Sequence, residues 1–262
     1  MRPLSVKSLP TRWPGLSGDR VFYYIIVTLA IFLVMIPLLM LVYSSFRTGR
    51  PGLPGGEYTL QNYLTAYTNK KSYEAILNSF GYAGGGTLIS VIIAIIMSWA
   101  IERTNMPLRN LSYALLLVPL AIPGMLFSIS WILLLSPDIG FLNILIRKAL
   151  GIFGIKLSTG PFNIYTLYGM FFLEGLRHVP TIFLMISAAF RNMDPALEEA
   201  AFVSGCGTVR TLRQVTIPVL FPAILGAFIY SFMTGIESFE IPGIIGLPAN
   251  IYVFSTRIYW AS

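Results

Sequence analysis

Glu174, Arg177 and His178 stand together in LEGLRH, and Glu237 and Glu240 in GIESFEIPG, each group inside or at the edge of a long apolar run. A carboxylate and a guanidinium three residues apart on a helix share a face and can pair. The Glu174/Arg177 pair therefore reads either as an internal ion pair that fixes helix packing or as part of a path for a solute. Two carboxylates at the same spacing, Glu237 and Glu240, suit a hard cation such as iron(III). They equally mark a helix end or a contact with another protein. His178 alone reads as a polar packing residue. It is the single histidine and Cys206 the single cysteine, which leaves neither an intrachain disulfide framework nor a histidine-based metal centre. No metal site or cofactor motif is predicted. The GGGT at Gly84 to Thr87 lacks the lysine of a phosphate loop and lies inside an apolar run, so close helix packing is its expected role.

These side chains are carried by a very apolar chain. It is 55% hydrophobic and only 11% charged, with a mean hydropathy of +0.73, whereas soluble domains carry roughly 25% charged residues. The class is all-α: a polytopic bundle of membrane helices. A net charge of +7 is spread along the chain rather than gathered in runs, which points to membrane topology and away from nucleic acid. An enzyme at a membrane face needs a cluster of acids, histidines or cysteines, and the acids here are widely separated.

A hydrocarbon core of about 30 Å takes about 20 helical residues. Five apolar windows satisfy it: 21–46, 79–100, 111–136, 162–190 and 217–236. Arg2, Lys7, Arg12 and Arg20 precede the first window, which is too long for a signal-peptide core and remains in the membrane. That cluster places the N-terminal segment 1–20 in the cytoplasm, and the connectors then alternate, with 191–216 cytoplasmic. In the fourth window, central charges cost about 2.5–3.5 kcal/mol each. About a dozen large apolar residues at roughly 0.3–0.6 kcal/mol each barely offset them, so this helix turns Glu174 and Arg177 away from lipid. Pro119 and Pro123 are expected to kink the third window, Pro180 the fourth and Pro222 the start of the fifth.

The 191–216 connector contains LEEAAFVSGCGTVRTLRQVTIP. Asp194 is a capping residue and Pro195 suits the first helical position, with Glu198 and Glu199 in the first turn where the helix dipole favours anions. Gly205 ends this short helix in a left-handed conformation. Thr208 then caps a second helix leading through Pro218 into the fifth span. So short a first helix is unstable alone and needs a covering partner.

At these residues the chain resembles the membrane subunits of binding-protein-dependent ABC importers. Glu199, Ala200 and Ala201, then Gly205 and finally Ile217 and Pro218 match the spacing of that family's EAA motif, with Val215 and Ile217 in its two aliphatic positions. From about 169 to 258 the chain is similar to iron(III)-type permeases. The resemblance implies a bacterial inner-membrane permease whose Glu199–Gly205 segment is a coupling helix, docked on a cytoplasmic ATP-binding subunit. It further implies a periplasmic or extracellular substrate-binding protein and a second permease half as partners. The implied cargo is iron(III), with phosphonates, thiamine or polyamines as alternatives. A secondary transporter or channel is the rival class, and it has no use for such a docking loop. Pro242, Gly243, Gly246 and Pro248 suggest an irregular external segment able to gate. Members of this type have a sixth span, so the chain is expected to be an incomplete first half; a native stop codon directly after Ser262 would overturn that expectation.

Overall fold

A computed structural model describes residues 17–49 and 56–261. Most of the predicted cytoplasmic segment 1–20, with Arg2, Lys7 and Arg12, lies outside the described residues. Apart from a single bridge between Arg47 and Tyr58, the regular structure among these residues is helical. The chain divides at Asn69 into two compact units.

In the first unit α1 (Ser17–Ser45) carries the first predicted span, with its apolar window from Val21 exposed throughout. After it, Arg47 donates to the Gly56 carbonyl and to the Tyr43 hydroxyl, closing a short turn before α2 (Gln61–Thr68).

The second unit is built on α3 (Lys70–Arg103). It continues through α4 (Arg109–Leu117), α5 (Gly124–Leu135), α6 (Phe141–Ile152) and α7 (Leu167–Asn192). Then follow α8 (Ala196–Val203), α9 (Thr208–Thr211), α10 (Ile217–Glu237) and α11 (Phe254–Ala261). Among the described residues four helices, Val21–Ser45, Lys70–Arg103, Leu167–Asn192 and Thr208–Glu237, are long and apolar enough to cross a membrane, and a bent pair, counted as one span, brings the number to five.

The bent pair corrects the third span. Instead of one helix over 111–136, α4 and a 3-10 turn at Val118–Ala121 meet α5 at 106°. Pro123 has no N–H to continue the ladder, and it forces the preceding residue out of the helical region. Ile122 is accordingly extended, at φ −92° and ψ 119°. The fourth span also starts later than expected, at Leu167, where Thr166 caps it by accepting from the Gly169 N–H at 3.0 Å. Residues 162–166 lie before the helix because Asn143, fully buried, binds both the Phe162 N–H and its carbonyl and ties that strip to α6. The fifth span reaches back past Ile217 to Thr208, through one π-helical turn at Leu212–Thr216. Thr208 is therefore a helical residue rather than a side-chain cap. The predicted irregular segment after Glu240 is a folded turn: Pro242–Gly246 is π-helical, and Ile241 and Ile245 are fully buried.

The core is the contact of α3 with α7, and Gly85 and Gly86 of GGGT sit in it. A Cβ on Gly175 would lie 2.7 Å from the Ile89 Cβ and 2.9 Å from the Gly86 carbonyl, and one on Gly85 would lie 2.7 Å from the Phe171 ring. This is backbone approach through small residues, as membrane helices use it. Overpacking costs about 1–3 kcal/mol. Gly175→Ala is thus expected to lower the thermal midpoint of the detergent-purified protein measurably. Gly84→Ala, where the nearest atom is 4.0 Å away, should leave it unchanged; equal midpoints for the two variants would refute this account of the contact.

Candidate functional site

Two polar constructions stand out from the apolar bundle, one at the 191–216 loop and one in a cavity beside α7. In the loop, α8 forms as its sequence dictates. Asp194 accepts from the Ala196 N–H at 2.9 Å. Gly205 takes φ +82°, and the N–H groups of Gly205 and Cys206 return to the carbonyls of Phe202 and Ala201, the pairing that closes a helix through a left-handed residue.

Of the two glutamates in the first turn, they divide the work. Glu199 is exposed, as are Ala200, Gly205 and Pro218, while Ala201 and Ile217 are half-buried. Glu198 is only 7% exposed. Its Oε2 lies 2.7 Å from Arg103 Nε, and its Oε1 accepts from the Thr216 hydroxyl. Arg103 also donates to the carbonyls of Phe190 and Met193, at 2.8 and 3.0 Å. One arginine at the end of α3 thereby holds the end of α7, the root of α8 and, through Glu198, the π turn that enters α10. Beside it Glu102 accepts from Ser187 and from Arg191, and pairs with Arg109 at 2.9 Å. The signal for this cluster in the sequence is faint: adjacent glutamates on a helix differ by one position, and only the distant Arg103 distinguishes them.

The second construction joins residues predicted separately. Glu174, Arg177, Glu237 and Glu240 all line one cavity of about 410 Å³, with His178, Tyr230, Thr234, Ser238 and Phe239. The expected Glu174–Arg177 pair does not form. Arg177 instead pairs with Glu240, Nη1 to Oε2 at 2.5 Å, because the chain leaves α10 at Ser238 and turns back toward α7. Glu174 points into the contact with α3, where its Oε2 accepts from the Tyr82 hydroxyl at 2.6 Å and from Ser238 at 3.3 Å. His178 Nδ1 lies 3.0 Å from the Glu174 carbonyl and Nε2 lies 3.1 Å from the Thr234 hydroxyl. Gly124, at the break of the third span, is pressed against the Arg177–Glu240 pair: a Cβ there would sit 2.5 Å from Arg177 Cζ. The break, the pair and the cavity are one construction, for which Tyr82 and Gly124 gave no signal in the sequence.

Residues 90–261 match the family described as the binding-protein-dependent transport system inner membrane component. The sulfoquinovosyl glycerol transport system permease protein SmoG of Agrobacterium fabrum is 28% identical over 251 residues, covering 90% of this chain and 78% of its own length. A ferric transport system permease protein, FbpB 1 of Haemophilus influenzae, is 22% identical, with 90% of this chain matching 35% of that longer one. The fold is shared with a chain of a bacterial alginate ABC transporter, crystallised in complex with an alginate pentasaccharide-bound periplasmic protein. The TM-score is 0.62 at 17% identity, over 85% of this chain and 74% of that one. The relatives confirm the ABC importer class without singling out its iron(III) branch. With its several apolar helices, this chain belongs to the binding-protein-dependent transport system inner membrane components, the multi-pass permease subunits of ABC importers.

Proposed function

We propose that this permease couples ATP hydrolysis on a partner subunit to solute passage by way of α8, and that the cavity beside α7 is part of the path. The observation that carries the reading is the contrast along α8. Its root is locked by Glu198, while its far end presents Phe202 at 47% and Val203 at 90% exposure. A short helix with an apolar tip and a charged, buried root suits a docking element that transmits force instead of merely binding. The partner that fits is a cytoplasmic ATP-binding subunit with a cleft for the Glu199–Gly205 segment. The loop and the N-terminus then lie on the cytoplasmic side, and the opposite end of the bundle receives solute from a substrate-binding protein. A second permease half, in the same or another chain, completes the passage.

Closure of the ATP-binding subunits would move α8. Arg103 passes that motion to α3 and α7, and Thr216 passes it to α10. These are the helices that carry Glu174, Arg177 and Glu237 around the cavity, so a displacement at α8 reaches the cavity through rigid elements.

Cargo is the finer question. The FbpB 1 name and the likeness over 169–258 favour ferric iron, and the SmoG name favours a sugar derivative. Among the described residues no group of three or more His, Cys, Asp or Glu stands close enough to hold a metal ion, which weighs against a naked iron(III) site in this chain. A cavity of about 410 Å³ suits a small organic solute.

Two measurements test the coupling reading. Val203→Glu places a charge at the apolar tip without touching the root, and co-purification of the ATP-binding subunit should be lost while the thermal midpoint holds; retention of the subunit would count against docking on α8. Glu198→Gln leaves Arg103 buried without its counter-charge, a change that costs about 3–5 kcal/mol in buried pairs. In proteoliposomes this variant is expected to hydrolyse ATP with less solute moved per ATP. An unchanged ratio would mean that the Arg103 clamp plays no part in transmission.

A further inference from the structure

Resting on the reading that α8 hands motion to the bundle, we infer that Glu102 is a positioning residue that carries this motion to the broken third span and so moves the cavity wall formed there. The cavity beside α7 has a side that the Arg103 clamp does not hold. Pro119, Leu120 and Ile122, at the break of the third span, line it together with residues of α7 and α10. Arg103 holds the end of α7 and the root of α8, and Glu198 reaches the entry to α10. Among the described residues no hydrogen bond or ion pair of either side chain reaches α4.

Glu102, the neighbour of Arg103 on α3, makes that connection. Its side chain is only 4% exposed, and both of its oxygens are engaged. Oε1 accepts from the Ser187 hydroxyl at 2.6 Å and from Arg191 Nε at 2.9 Å, both on α7. Oε2 accepts from Arg109 Nη2 at 2.9 Å, and Arg109 is the first residue of α4. Arg191 adds a second tie, its guanidinium lying 5.5 Å from the centre of the Tyr113 ring on α4. Consecutive helical residues point about 100° apart, so the last turn of α3 sends Arg103 toward α8 and Glu102 toward α4.

The placing of α4 depends on this link. None of its residues is buried, and it starts without a side-chain cap. Leu108, just before it, is left-handed at φ 58° and 72% exposed, so packing of its own side chain does not hold the strained turn. The Arg109–Glu102 bridge closes that turn onto α3. Tyr113, Leu116 and Leu117 are half-buried against the α3–α7 core, but apolar contact is non-directional, whereas a charge-assisted bond to a buried carboxylate fixes the helix end in place. From Arg109 to Ala121 the chain is continuously helical, a rod of roughly 20 Å from that carboxylate to the cavity. A displacement at Arg109 therefore arrives at Pro119, Leu120 and Ile122, and next at Gly124 against the Arg177–Glu240 pair.

The test uses the full chain with Cys206→Ser, purified with its ATP-hydrolysing partner and reconstituted in proteoliposomes. A bimane label is attached at Leu120→Cys or at Tyr230→Cys, two cavity-lining positions carried by the third span and by α10. Its emission is compared without nucleotide and with ATP plus vanadate, and both labels should respond in the parent. Arg109→Gln, at an exposed position, leaves Glu102 its α7 partners. It should cut the Leu120 response by about fivefold or more and leave the Tyr230 response in place. Arg109→Lys, which keeps the charge, should retain the Leu120 response, and Glu102→Gln should behave as Arg109→Gln does. A merely structural role would weaken both labels together. The inference is overturned by an undiminished Leu120 response in Arg109→Gln, by equal loss at both labels, by a lysine variant as silent as the glutamine one, or by a parent in which Tyr230 responds and Leu120 does not. Silence of both labels in the parent, or failure to retain the ATP-binding partner, would instead remove the coupling reading on which it rests.

Discussion

Arg103 and Glu198 form an ion pair that is nearly sealed from solvent at one end of the helical bundle, with side-chain exposures of 15% and 9%. Withdrawing two charges from water is costly, and mutual attraction repays it only when the remaining donors and acceptors are also met. Here Arg103 Nη2 donates to the carbonyls of Phe190 and Met193, and Glu198 Oε1 accepts from the Thr216 hydroxyl. The result is a fixed relation among four elements: the end of α3, the end of α7, the root of α8 and the entry to α10. Little else in the described residues holds α8, since most of its other side chains are exposed. The orientation of α8 against the bundle therefore depends on this pair.

At the other polar construction, backbone geometry comes first and charge follows. Pro123 removes a donor and extends Ile122, so the third span breaks and Gly124 begins a new helix at the cavity. Because Gly124 has no side chain, Arg177 and Glu240 can meet directly against it. That pairing draws the guanidinium away from Glu174, which turns instead to Tyr82 on α3. A membrane interior makes each of these choices costly to reverse, since an unmatched charge or an open backbone group has no water to fall back on. The cavity is thus shaped by one proline, one glycine and an ion pair, each dependent on the others.

Much of this was legible in the residues themselves. Apolar windows located the spans, because a helix in lipid must be long and greasy whatever its neighbours are. The cap, first-turn acids and left-handed Gly205 of α8 are local chemistry, and they appeared where the sequence placed them. The third span was misjudged because Pro119 and Pro123 announce a disturbance without its size; whether a helix bends or turns through 106° depends on what packs on either side. The Glu174–Arg177 pair was a sound local expectation that lost to a partner far away in sequence.

Composition and period were enough to establish a membrane bundle, the rough position of its apolar windows and a short capped helix in the 191–216 loop, since hydropathy and capping act within a few residues. Only the tertiary structure chose between Glu198 and Glu199, joined Arg177 to Glu240, and gathered four scattered charged residues around one cavity. Pairing of charges is decided by distance in space, and in a helical bundle that distance is set by side chains many residues away along the chain.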